Sequence, residues 1–127
     1  MKVSEAARIL MKLMEESANQ ECADCELSLL PSIRQSNVLF ASLNNGVFIC
    51  PKCSNLHAAL GESVSLVKPI SIKNIDEKEI KYFKIGGNAN FVKFIKEYSL
   101  NNANLELKYK SKAGNYYRAR VLLYINH

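Results

Sequence analysis

Four cysteines carry the most specific chemistry in this 127-residue chain: Cys22, Cys25, Cys50 and Cys53, arranged as two Cys-x-x-Cys pairs. Two intervening residues let one short turn aim both sulfurs at a single ion. Two such knuckles close a tetrahedral thiolate site with no open coordination position. A closed site is structural, and it contributes folding free energy to a 22–53 segment with little apolar core of its own. One structural Zn(2+) is therefore the expected cofactor. Two disulfides would need an oxidising compartment, and a redox Cys-x-x-Cys stands singly at a strand–helix junction, not as a matched pair of pairs. His57, four residues beyond Cys53, could in principle replace a thiolate. With four cysteines present, it is expected to pack or cap in the following helix.

The elements that must position these side chains are short. Residues 4–18 place Ala6, Ile9, Leu10, Leu13 and Met14 at helical spacing behind Ser4 as N-cap. From Cys22 to Cys53 the chain turns irregular, with Pro31, Asn44-Asn45-Gly46 and one short apolar strand, Val47-Phe48-Ile49. A short helix is expected from Ser54 to Leu60, capped by Ser54 and stopped by Gly61. Residues 63–72 alternate around Pro69 and read as extended segments at a sheet edge. Asp76-Glu77-Lys78-Glu79 approximates a capping box opening a helix that Gly86-Gly87 ends. Phe91, Phe94, Ile95 and Tyr98 mark the next helix. The last helix runs from Ser111 to Tyr124, with Ala113, Tyr117, Val121 and Tyr124 on one face.

The net charge of +5 suits an acidic partner (nucleic acid, a charged protein face or an anionic membrane surface) and equally reads as lysines solvating helix faces. Thirteen of the seventeen basic residues are lysines spread along the chain, so charge alone does not choose among these. Tyr116, Tyr117, Arg118 and Arg120 form an aromatic-basic cluster. Four-cysteine ribbons also serve RNA-binding and ribosomal proteins, which keeps a ribonucleoprotein partner open. No apolar run approaches the roughly 20 residues that cross a bilayer. The N-terminus leads into a charged helical pattern instead of an apolar signal core. No Asn-x-Ser/Thr acceptor occurs. These features predict a cytoplasmic protein.

The residues flanking the second cysteine pair make a family resemblance specific. Ala41, Ser42, Gly46, Phe48, Cys50, Cys53, Ser54, His57, Leu60 and Gly61 match the pattern W-A-S-x-x-x-G-x-F-x-C-x-x-C-S-G-x-H-R-x-L-G. The chain thereby resembles the Arf GTPase-activating family. Ser65, Val67 and Ile70–Ile72 fall where that family has H-x-S-x-V-R-S-x-x-L-D. Gly86-Gly87-Asn88-Ala89-Asn90 resembles its G-G-N-A-N junction. Lys108-Tyr109-Lys110-Ser111-Lys112-Ala113, with Tyr117 and Arg118, resembles its final K-Y-N-S-R-A…Y-R segment. The last two motifs look most like the Golgi, coat-vesicle branch, and the likeness spans residues 5–124.

Three departures matter more than these matches. The family's arginine after His57 falls on Ala58, and its tryptophan before Ala41 falls on Phe40. Between Cys25 and Cys50 lie 24 residues, more than the family pattern carries, so residues 32–39 read as an inserted loop. The resemblance makes position 58 the arginine finger that supplies charge to the transferring phosphoryl of GTP. A methyl group there supplies none. It also implies a face for an Arf-type small GTPase, or for a replacement protein partner, built around Phe40, His57 and Ala58. GTPase activation is therefore expected to be lost unless Arg34, on the inserted loop, substitutes. Lys52 and Lys68 lie near in sequence but lack the guanidinium fork. The expected architecture is α+β in one domain over residues 1–127: a four-cysteine zinc ribbon with a short sheet, surrounded by about five helices.

Overall fold

The computed structural model describes residues 3–36 and 38–126. Asn37, within the inserted segment, lies outside the described residues. Helix α1 (Glu5–Leu13) starts where Ser4 Oγ accepts from the Ala7 amide at 3.0 Å. Helix α2 (Leu30–Ser36) follows a 3₁₀ turn at Ser17–Gln20 and the first cysteine pair. Three strands, β1 (Leu39–Ser42), β2 (Val47–Ile49) and β3 (Val67–Ile70), form one antiparallel sheet in the order β2-β1-β3. Helix α3 (Pro51–Ala58) leaves β2. Helices α4 (Glu77–Ile85), α5 (Asn88–Glu97), α6 (Leu105–Lys110) and α7 (Lys112–Ile125) complete the chain.

The expected α+β architecture is present, with seven α-helices among the described residues instead of about five. One of the two unexpected helices, α2, occupies most of the segment read as a loop over 32–39, and β1 begins at its end. The other, α6, is separated from α7 only by Ser111. That residue stays extended and caps α7 by accepting from the Gly114 amide at 3.0 Å. Helix α3 begins at Pro51, not Ser54, because Pro at the first helical position suits the fixed φ. Strand β3 covers only Val67–Ile70 of the 63–72 stretch. It lies at the sheet edge, where Pro69 can be tolerated. The Asp76–Glu79 capping box is complete: the Asp76 carboxylate accepts from the Glu79 amide at 2.7 Å, and the Glu79 carboxylate accepts from the Asp76 amide at 3.2 Å.

The pairing register places Ala41 opposite Phe48 and Leu39 opposite Ile70. Because side chains alternate along a strand, these four share one face, and Phe48 stacks on Phe83 of α4 with centroids 4.5 Å apart. Phe40 and Ser42 point to the other face, toward α3. Gly46 turns β1 into β2 at φ 63°, and a Cβ there would lie 2.6 Å from the Tyr82 carbonyl oxygen. Asn88 then locks α5 to β2. Its side chain accepts from the Phe48 amide at 2.8 Å and donates to the Phe48 and Glu21 carbonyls at 3.1 and 2.8 Å. In effect one buried amide continues the sheet past its β2 edge and fastens it to the first cysteine pair.

Candidate metal centre and partner face

Both cysteine pairs sit on tight backbone turns, as their spacing requires. In the first, the Cys22 amide donates to the Leu27 carbonyl at 2.8 Å and the Glu26 amide donates to Cys22 at 3.0 Å. Glu26 takes the left-handed conformation, φ 64°, that closes so short a turn. In the second, Cys50 is the N-cap of α3. Its sulfur accepts from the Cys53 amide at 3.3 Å, so one helical turn brings both sulfurs together.

The four Sγ atoms lie within 4.8 Å of one another, with Cys25 and Cys50 at 3.6 Å. A tetrahedral zinc with Zn–S bonds of about 2.3 Å separates its sulfurs by about 3.8 Å, so the cluster has the size for one such ion. None of the four is in a disulfide, and all but Cys25 are buried. Burial pushes the Cys22 thiol up to about 11. Burial and neighbouring thiolates push Cys53 far above the ordinary thiol range. Burial opposes ionisation of Cys50 as well, but the hydrogen bonds from Cys53, Cys25 and Cys22 outweigh it and hold that thiol low. Thiols packed this closely ionise together only around a cation, which is the chemistry of a metal-binding set.

Between the first two cysteines stands Asp24, which the sequence reading did not single out. Its carboxylate is 3% exposed and accepts from His57 Nε2 at 2.7 Å, Lys108 Nζ at 3.2 Å and the Tyr109 hydroxyl at 2.8 Å. Burial opposes its charge, yet these donors, His57 first, hold its carboxyl below the usual carboxylate range. The network continues from His57 Nδ1 to Ser65 Oγ at 2.7 Å, on to Ser42 Oγ at 2.7 Å, and to Asn45 Nδ2 at 2.8 Å. Asn45 Oδ1 accepts from Arg118 Nη1, which also donates to the Tyr109 carbonyl at 2.9 Å, so the ring of bonds closes where it began. Asn45 can only donate to Ser42. The Asp24 carboxylate can only accept, so His57 donates from Nε2.

These contacts set the sequence-predicted residues apart by role. His57 is fully buried and bonded at both nitrogens, so it is neither a metal ligand nor a surface contact. It braces α3 from behind. Ala58 is exposed at the end of α3, beside exposed Leu56 and Ala59. Phe40 is half-buried on the sheet face that α3 covers, opposite Ile49 and Pro69. Arg34 lies exposed on α2, with no hydrogen-bond or ionic partner among the described residues. Lys68 is engaged by Glu79 at 2.5 Å, and that bond raises its pKa. In the aromatic-basic cluster, Tyr117 is buried and Arg118 turns inward, leaving Tyr116 and Arg120 at the surface.

Removing the Asp24 carboxylate strands a buried ammonium, a buried phenol and His57 together. Asp24→Ala is expected to destabilise the metal-loaded protein by about 3–5 kcal/mol, as loss of one partner from a buried ion pair does. Urea titration of wild type and variant at matched metal content measures it, and a difference under about 1 kcal/mol would show the network to be structurally idle. The depressed carboxyl gives a direction with pH. Its stabilisation is present above the unfolded carboxyl pKa and is lost as pH falls through the lower folded value.

Comparison with known proteins agrees with this geometry. Residues 7–124 match the family model described as "Putative GTPase activating protein for Arf". ADP-ribosylation factor GTPase-activating protein 3 of Macaca fascicularis is 28% identical over 114 residues, covering 89% of this chain and 20% of that protein. Sporulation protein SPS18 of Saccharomyces cerevisiae is 27% identical over 114 residues, covering 88% of this chain and 35% of that protein. This chain thus spans about a fifth to a third of these relatives. The crystal structure of a "putative GTPase activating protein for ADP ribosylation factor" from Cryptosporidium parvum shares the fold, with TM-score 0.71 and 23% identity over 98% of this chain and 94% of that one. No helix among the described residues is long and apolar enough to cross a membrane. A thiolate cluster sized for one ion, a helix leaving it toward position 58 and a family match across nearly the whole length lead to one assignment: the chain belongs to the Arf GTPase-activating protein family.

Proposed function

We propose that this domain docks an Arf-type small GTPase, or a protein that has taken its place, through the exposed end of α3, and that it does so without accelerating GTP hydrolysis. In this reading Cys22, Cys25, Cys50 and Cys53 hold one structural zinc. Ala58 and Phe40 belong to the partner face, with His57 bracing it from behind. The observation that carries the reading is the exposed methyl group of Ala58 at the end of a helix held on both sides by the metal cluster and the Asp24–His57 bond. The bare carbonyl end of a helix carries partial negative charge and disfavours a phosphoryl group; a guanidinium there would reverse that sign. Residues 53–61 contain no Asp, Glu, Lys or Arg, which suits contact with a protein surface more than with nucleotide phosphates. Arg34 is a weak substitute because an exposed, unpartnered side chain lacks the preorganisation a finger needs. The test is single-turnover hydrolysis on a panel of GTP-loaded Arf-type GTPases, with binding measured in parallel. Binding with a rate near the unassisted one supports the reading. Strong stimulation by wild type overturns it, and loss of that stimulation in Arg34→Ala would identify the replacement finger.

A further inference from the structure

The segment from Tyr116 to Arg120 has a surface half that the α3 face leaves unused. Helices α5 and α7 run antiparallel there. Phe94 meets Tyr116 at 6.1 Å toward the start of α7, while Ile85 and Asn90, earlier in the chain, line a shallow cleft with Val121 and Tyr124 toward its end. Tyr98 packs on Phe94 at 4.9 Å, and the Arg120 guanidinium lies 5.2 Å from the Phe94 ring and 5.7 Å from Tyr116. Tyr98, Tyr116 and Tyr124 on this face are 53%, 56% and 59% exposed, and Leu123, two turns beyond Tyr116 on α7 and so on the same side of that helix, is 58% exposed. Helix α7 is thus apolar on its core side, through Ala113, Tyr117 and Val121, and its outer side carries large apolar groups interleaved with Lys112 and Arg120. Exposed large apolar side chains grouped in this way mark an interaction surface.

Charge indicates what covers it. Lys93 and Arg120 line the cleft between the tyrosines, with Glu97 the single acid among the lining residues. Lys112 precedes Tyr116 by one turn of α7, and Lys81 precedes Ile85 by one turn of α4. Of the basic residues after Asp76, Lys108 is buried against Asp24, Lys110 pairs with Glu106 and Arg118 turns inward, so the cations this face presents are Lys93, Arg120, Lys112 and Lys81.

We infer that the α5–α7 face is a peripheral docking surface for an anionic lipid bilayer. Tyrosine rings and Leu123 fit the headgroup–acyl boundary, while Lys93, Arg120, Lys112 and Lys81 meet acidic headgroups. RNA suits the face less well. The Arg120 guanidinium and Phe94 lie against the Tyr116 ring on which a base would stack, Arg118 is turned inward, and a projecting leucine offers a phosphate nothing. The inference does not depend on the α3 reading, since the two faces share none of these residues.

Flotation of the metal-loaded protein with phosphatidylcholine vesicles, and with phosphatidylcholine–phosphatidylserine vesicles, tests it. Binding is expected only with phosphatidylserine and is expected to weaken with salt. Lys93→Ala and Arg120→Ala are each expected to lower partitioning about fivefold. Arg120→Lys, which keeps the charge, is expected to retain it. Leu123→Asp, at an exposed position, is expected to reduce binding at least as much with unchanged far-UV circular dichroism. Absence of flotation with phosphatidylserine overturns the inference, as does binding indifferent to Leu123→Asp. Tighter retention on homopolymeric RNA than on vesicles, lost in the same variants, overturns it too and assigns the face to nucleic acid.

Discussion

Ala58→Arg is expected to convert an inert complex with an Arf-type GTPase into an activating one. Charge accumulates on the transferring phosphoryl and bridging oxygens, and a guanidinium delivered from a partner lowers that barrier by a factor of about 10³–10⁵ in rate. Position 58 is well prepared to deliver it. The adjacent His57 is held at both nitrogens by Asp24 and Ser65, and α3 is anchored at its start by the Cys50 cap. The family pattern has tryptophan where this chain has Phe40, which carries no indole N–H to help brace a restored arginine, so full recovery is not expected. Recovery of part of the full factor is therefore expected, at least about 10²-fold over wild type. Single-turnover hydrolysis by Ala58→Arg, wild type and Ala58→Lys measures it. Lysine lacks the bidentate fork, so equal rescue by lysine would mean that charge alone, without finger geometry, suffices. If Ala58→Arg binds the GTPase and still leaves its rate unchanged, the helix end does not reach the nucleotide. If neither protein binds any Arf-type GTPase, the fold has been kept and its partner exchanged.

Removal of zinc is expected to unfold at least residues 22–61. Structural zinc sites contribute about 10–16 kcal/mol of apparent binding free energy, comparable to or larger than the whole stability of a small domain at about 5–15 kcal/mol. Cys22, Cys50 and Cys53 belong to the same buried cluster as Phe48, Phe91 and Tyr109. The Asp24 network hangs on the first knuckle, so loss of the ion is expected to release His57 and Lys108 as well. Elemental analysis is expected to find one zinc per folded chain, and a strong chelator to make the 22–61 region protease-sensitive. Cys50→Ser removes one thiolate from the cluster while leaving a hydroxyl able to cap α3, so the variant isolates the metal's contribution, and it is expected to yield insoluble or protease-sensitive protein. A folded protein with no stoichiometric metal, or a Cys50→Ser variant indifferent to chelator, would refute the structural-zinc reading.

Short-range features are legible in the sequence alone. The cysteine spacing, the Ser4 cap, the Asp76–Glu79 box and the apolar triplet Val47–Ile49 each specify a local geometry through residues a few positions apart. The two helices that the sequence does not reveal, α6 and α2, are six and seven residues long, too short for a 3.6-residue period to declare itself. The sequence places the start of α3 three residues late, because serine is a common N-cap and cysteine is not.

By itself, the sequence determined the thiolate set, the α+β class and the absence of an arginine after His57, since each depends on residue identity or near-neighbour spacing. Only the tertiary structure decided what those residues can do. Asp24 meets Lys108 across 84 positions and Asn88 meets Phe48 across 40, so no local pattern announces either bond. The same long-range packing turns Arg118 inward and leaves Arg120 outward on one helix, and buries His57 while exposing Ala58 beside it. A side chain's burial is set by the elements that pack against it, and those elements arrive from distant parts of the chain.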